Sequence, residues 1–103
     1  MDLLRTYTLV DGATATHYLN EHWSKHMTSL PKFGFQIQGV WIGNAPDTEN
    51  QVIALISIPD DANLEEMIER YMNSSDFNEE MAGFDRSQIT KVETKVMKAA
   101  FVN

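Results

Sequence analysis

The 103-residue sequence contains no cysteine. Disulfide bridges, thiolate metal sites and a cysteine nucleophile are therefore excluded, and the absence suits an intracellular protein. Basic residues are scarce. Eight Lys and Arg stand against 15 Asp and Glu, for a net charge of -7, and the eight are scattered from Arg5 to Lys98. Without a clustered cationic surface, nucleic acid and anionic membrane are poor partners. No stretch approaches the ~20 apolar residues of a membrane span. The opening Met-Asp-Leu-Leu-Arg lacks the basic start and apolar run of a signal peptide. A soluble, cytoplasmic protein is the expectation.

Proline is also rare, with three in the chain, and each one falls where a periodic segment ends. Leu3 to Val10 (LLRTYTLV) is rich in β-branched and aromatic residues and reads as a strand, closed by Asp11-Gly12. Thr14 or Thr16 is positioned to cap a helix running to Leu30, where Pro31 stops it. Ala15, Leu19, Trp23, Met27 and Leu30 recur at spacings of three and four and form its apolar stripe. Phe33 to Gly43 alternates as a second strand. A polar loop through Pro46 leads to Gln51–Ile58, whose nearly unbroken apolar run predicts a central strand, stopped by Pro59. A second helix begins near Asn63, with Leu64, Met67, Ile68, Tyr71 and Met72 on its apolar side. Asn73 to Phe84 reads as a loop with a helical turn at Asp76 to Met81, and Ser87 to Met97 alternates as the last strand.

The order is β-α-β-β-α-β over a single domain, residues 1–103. Two right-handed crossovers then give an α+β, ferredoxin-like fold with a four-stranded antiparallel sheet and both helices on one face. The opposite sheet face also carries apolar residues. A second copy packing sheet against sheet is the natural cover, so a homodimer is expected.

Four segments carry a family resemblance: LLRTYTL at the start, HYLNEHWSKHMTSLPKFGF in the first helix, GVWIG in the second strand, and SSDFNEEMAGFDRSQITKVETKVMKAA near the end. Over essentially the whole chain they resemble the NIPSNAP family of the dimeric α/β-barrel superfamily. The resemblance implies that fold and a dimer. It leaves the chemistry open, because the superfamily holds cofactor-free monooxygenases, haem-degrading enzymes and stress-responsive barrels without an assigned reaction. It also points to the cleft between helix and sheet as the place for a small ligand.

Against that background His22 and His26, four apart on the first helix with Tyr18 on the same flank, are the leading candidate residues. Such a pair could bind metal, ligate haem or act as acid and base. The H-W-S-K-H order lacks the acidic partner of a H-E-x-x-H metal site, so no metal or cofactor is assigned. Hydrogen bonding at the helix–sheet boundary is the structural alternative. Arg5 and Tyr7 share a face of the first strand, and an Arg5–Glu93 cross-strand pair with the neighbouring last strand is geometrically plausible. Arg5 could then hold a carboxylate or polarise a carbonyl, or simply serve the interface. Trp23 and Trp41, with Phe33 and Phe35, could line a pocket for a flat apolar ligand or be plain core. Gly83-Phe84-Asp85 could close a pocket or only make a turn. Two functional readings follow: a dimeric barrel binding a small apolar or aromatic molecule, with monooxygenase-like or isomerising chemistry open, and a non-enzymatic dimeric scaffold or stress-responsive protein.

Overall fold

Strand β1 (Asp2–Leu9) occupies an inner position of the sheet, and in the computed structural model, which describes residues 1–102, every other strand is arranged around it. Asp11 starts the first helix. Its side chain accepts from the Thr14 backbone N–H at 2.7 Å, and the hydrogen bonds from Thr14 hold its carboxyl below the usual range. The cap thus lies at Asp11 rather than at Thr14 or Thr16, because a carboxylate just ahead of the helix reaches the free first-turn amides. Thr16 instead turns its hydroxyl back to the Gly12 carbonyl.

The helix runs on through α1 (Gly12–His17), a π-helical segment (Tyr18–Trp23), α2 (Ser24–Ser29) and a 3-10 turn (Leu30–Phe33). Pro31 does not end it at Leu30. Proline sits without penalty at the start of that tighter closing turn, and Gly34 at φ 92° supplies the left-handed stop. Strands β2 (Gln36–Ile42) and β3 (Gln51–Ser57) follow. Next come α3 (Leu64–Met72), capped by Asn63, and α4 (Ser75–Glu80), capped by Ser74. A 3-10 turn capped by Asp85 leads into β4 (Ile89–Met97). The sheet order is β2-β3-β1-β4, with all neighbours antiparallel. This is the ferredoxin-like α+β fold.

Residue parity separates the two faces of the sheet. Leu3, Leu9, Val52, Ala54 and Ile56 point toward the helices and are buried against Ala15, Tyr18 and Trp23. Leu4, Ile53 and Leu55 point the other way and are half-buried. A register shift between Ile37 and Gly39 puts Trp41 opposite Ile53, on that second face. There the indole lies over Gly39, where a Cβ would come within 2.6 Å of its ring. The register also separates Arg5 from Glu93. Arg5 is opposite Thr94, whereas Glu93 is opposite Thr6 on the other face and pairs with Lys91 at 3.6 Å. The Arg5–Glu93 pair is therefore not formed: the two side chains leave opposite sides of the sheet.

Gly43 ends β2 where the following loop folds back on it. A Cβ there would overlap the Thr48 carbonyl, and no side-chain rotation relieves a clash with backbone. Gly83 is the control, with φ 82° but nothing within reach of an added Cβ. Gly43→Ala is expected to cost about 2–4 kcal/mol and Gly83→Ala about 1 kcal/mol, read from urea midpoints at constant m-value.

Candidate functional site

The buried side of the first helix is more polar than its sequence spacing implies. Ala15, Tyr18, His22, Trp23, His26, Ser29 and Leu30 are buried, while Met27 is 45% exposed and Leu19 only half-buried. The apolar stripe drawn through Leu19 and Met27 is thus rotated. Part of the reason is the π-helical segment, in which the Ser24 N–H reaches back to Leu19 O, five residues earlier. An i→i+5 turn brings Tyr18 and Trp23 onto one side, and such turns recur at functional sites.

The rest of the reason is Glu80. Its carboxylate Oε1 accepts hydrogen bonds from Ser29 Oγ at 2.7 Å, Tyr71 Oη at 2.8 Å and His26 Nδ1 at 2.8 Å. Tyr71 Oη is also 2.8 Å from His26 Nδ1 and 2.9 Å from Ser29 Oγ. One carboxylate from α4 thereby supplies a shared acceptor to buried polar groups of α2 and α3 that otherwise have only one another. His22 belongs to the same boundary, with Nδ1 donating to the Glu80 backbone carbonyl at 2.7 Å.

Burial holds the His26 imidazole below its ordinary pKa, outweighing the opposing pull of Glu80. Burial also pushes the Tyr71 and Tyr18 phenols upward. For Glu80 burial acts upward too, but the hydrogen bonds from His26, Ser29 and Tyr71 win and hold its carboxyl low. The neutral imidazole and the ionised carboxylate are the favoured forms.

Beside this cluster lies a cavity of about 160 Å³ between the helices and the sheet. Trp23, Tyr18 and His26 contribute from the first helix, Arg5 and Tyr7 from β1, and Tyr71 from α3. Phe35, Phe77 and Arg86 also reach it, with Arg86 lying 4.7 Å over the Phe77 ring. The aromatic walls meet edge to face. Tyr7 is 5.8 Å from Tyr18 and 5.9 Å from Trp23, and Trp23 is 5.2 Å from His26, all between ring centroids. Arg5 Nε donates to Tyr7 Oη at 3.0 Å and its terminal nitrogen to Thr94 Oγ1 at 2.8 Å. One polar atom stands apart. Trp23 Nε1–H is fully buried and makes no well-formed hydrogen bond among the described residues; the nearby Tyr18 hydroxyl interacts with it only weakly.

Of the residues singled out in the sequence, the structure brings Arg5, Tyr7, Tyr18, Trp23 and His26 together around this space. His22 lies behind it, packed on Phe84 at 4.9 Å. Trp41 is on the far sheet face and 54% exposed, so it cannot share the cavity. Asp85 makes a turn, accepting from Ser87 N and Oγ. Ser29, Tyr71, Glu80 and Arg86 were not legible as site residues. Their partners are 42 or more residues distant for Ser29, and no local spacing signals such contacts. Among the described residues there is no cluster of three or more potential metal ligands, and no helix is long and apolar enough to cross a membrane.

Comparison with known proteins adds a family and a fold. The family model described as NIPSNAP matches residues 1–102, whereas no curated protein matches the chain. An uncharacterized NIPSNAP domain protein from Burkholderia xenovorans superposes with a TM-score of 0.75 at 16% identity, covering 99% of this chain and 97% of that one. A crystal structure of an antibiotic biosynthesis monooxygenase gives 0.59 at 6% identity, with 96% and 97% covered. A dimeric ferredoxin-like protein from an uncultured marine organism gives 0.53 at 12% identity, with 99% and 96% covered. At these identities the likeness is one of fold.

The Glu80 cluster makes stability acid-sensitive. His26 has a depressed folded-state pKa, so the unfolded chain takes up the extra proton as pH falls below 6.5. Glu80 adds a second loss as pH falls below 4.5. Unfolding free energy is expected to be greatest near neutrality and to fall in two stages on acidification. Glu80→Gln should cost about 2–3 kcal/mol at pH 7 and make the lower stage smaller, as measured by urea titration between about pH 2 and pH 8.

Proposed function

Because the chain belongs to the NIPSNAP family, with a fold related to that of monooxygenase-type ferredoxin-like proteins, we propose that it is a small-molecule-binding homodimer. The ligand is a flat, mostly apolar molecule carrying one hydrogen-bond acceptor, held between the first helix and the sheet. A single observation carries this reading: an aromatic cavity is walled by the Trp23 ring, whose buried Nε1–H has no well-formed hydrogen bond. A buried donor without an acceptor costs about 1–3 kcal/mol, and a carbonyl or anionic oxygen on the ligand offsets it. The Tyr18 phenol and Arg5 offer further donors alongside.

Size narrows the class. A space of about 160 Å³ is close to that of engineered apolar cavities that take up benzene, so one aromatic ring with a short substituent or one small fused ring is accommodated and a larger polycyclic skeleton is not. The scaffold alternative predicts a filled cleft, and the open space favours the binding reading over it.

The dimer reading rests on the second sheet face, where Leu4, Ile53, Leu55 and the exposed Trp41 form an apolar surface with no helix over it. Sheet-to-sheet packing of two copies covers it, and the dimeric ferredoxin-like protein supports that choice. Trp41→Glu is expected to shift sedimentation from dimer to monomer while leaving far-ultraviolet circular dichroism unchanged. A wild-type monomer at micromolar concentration would sink the dimer.

For the ligand site the informative pair is 2-indanone and indane, which share a ring system and differ in one oxygen. 2-Indanone is expected to bind about tenfold more tightly than indane, the gain of one neutral hydrogen bond in a dry site. Trp23→Phe should erase that difference. Equal affinities in the wild type, measured by thermal shift and calorimetry, would count against the acceptor-bearing ligand.

A further inference from the structure

The polar cluster and the cavity meet at one ring, that of His26. Its Nδ1 is tied to the Glu80 carboxylate and the Tyr71 hydroxyl, while the ring forms part of the cavity wall. Nε2 makes no hydrogen bond among the described residues, which leaves it available to a ligand. A carboxylate holding Nδ1–H fixes the tautomer that carries the lone pair on Nε2, and it steadies the imidazolium formed when Nε2 takes a proton. Trp23 lies one helical turn earlier, its ring centroid 5.2 Å from that of His26 and nearly perpendicular to it. The ring that carries a proton acceptor and the ring that carries a weakly paired N–H donor therefore border the same small apolar space.

We propose that His26, oriented by Glu80, is a general base, and that the ligand class is an enolisable carbonyl compound on or beside a single aromatic ring. The inference rests on the cavity reading above and adds a reaction to it. Nε2 of His26 removes a proton from the carbon next to the carbonyl. The C–H electron pair moves into the new carbon–carbon double bond, and the carbonyl π pair moves onto oxygen. The resulting enolate oxygen accepts from Trp23 Nε1–H, with Arg5 as the nearby positive charge. Returning the proton from His26 to the same carbon gives exchange, and returning it to another carbon of the conjugated system gives an isomer. Every atom and electron is accounted for without an oxidant or cofactor.

Trp23 Nε1–H serves such a step because negative charge develops on oxygen only after proton removal, so the donor favours the transition state over bound ketone. Burial suits the base as well, since a neutral imidazole is ready to accept a proton at neutral pH. The titratable or charged groups around His26 are Glu80 from α4, Tyr71 from α3 and His22 on its own helix, with Arg5, Tyr7, Tyr18 and Arg86 around the cavity. Glu80 is a positioning residue: it touches His26, and through it tunes the base.

The test is hydrogen–deuterium exchange at the ring CH2 groups of 2-indanone, followed by proton NMR in D2O with the full-length protein. Binding is read in parallel from Trp fluorescence and calorimetry. The wild type is expected to speed exchange at least tenfold over matched buffer, with a rate that rises with pH and reaches half its plateau below pH 6.5. His26→Gln should bind 2-indanone with folding intact and return exchange to the buffer rate. Glu80→Gln removes an interaction that raises the His26 pKa, so its pH midpoint should move lower and its plateau should fall. A variant altered only in packing would lose rate without moving the midpoint. Binding by the wild type without accelerated exchange overturns the base and leaves the cavity reading standing. Failure of the wild type to bind 2-indanone overturns both.

Discussion

The Glu80 carboxylate is the interaction on which the helical layer depends. Among the described residues, one oxygen collects donors from Ser29, Tyr71 and His26, and so ties α2, α3 and α4 into one layer over the sheet. Without it, Ser29, Tyr71 and His26 would keep only one another as partners, and losing a charged acceptor from a buried network costs a fair fraction of a small domain's stability. With it, they become the specific part of a core that is elsewhere Leu, Val, Ile and aromatic. The same contact determines which His26 nitrogen is occupied. Stability and reactivity at this position thus share one cause.

The cavity follows from how the first helix crosses the sheet. Its π-helical segment brings Tyr18 and Trp23 to one side, and large rings meeting edge to face leave a space that no single side chain fills. β1 supplies the opposite wall with Arg5 and Tyr7, which point toward the helices because Leu3 and Leu9, of the same parity, are core residues. Most of the wall is apolar, so its few polar atoms act in surroundings of low dielectric, where a fixed donor is worth more than in water.

Much of the architecture was legible in the chain. Alternation and the breaks at Asp11-Gly12, Pro46 and Pro59 gave the element order, and crossover handedness then gave the topology. Side-chain direction was less legible. Trp41 looked like a pocket residue, but the register shift before Gly39 sets it on the far face. Arg5 and Glu93 looked like partners, but the pairing of Thr94 with Arg5 turns them apart. Helical periodicity set His22 and His26 on one flank and singled out no role for Ser29, because it counts polarity and cannot see a carboxylate 51 residues beyond Ser29. Of the candidate site, Arg5, Tyr7, Tyr18, Trp23 and His26 could be named from residue type and helix geometry. Glu80 and Tyr71, which set the behaviour of His26, could not, since only the folded chain brings them near.

The two tryptophans report on two different surfaces. Trp23 is buried in the cavity wall, and Trp41 lies on the sheet face opposite the helices. Proton–nitrogen correlation spectra therefore carry one indole signal for each, assigned through Trp23→Phe. On saturation with 2-indanone the Trp23 indole N–H should move downfield, as an N–H does when it gains an acceptor, while the Trp41 signal stays in place. A Trp23 signal that does not move at saturation, or movement confined to Trp41, would contradict the assignment of the buried indole as the ligand's anchor.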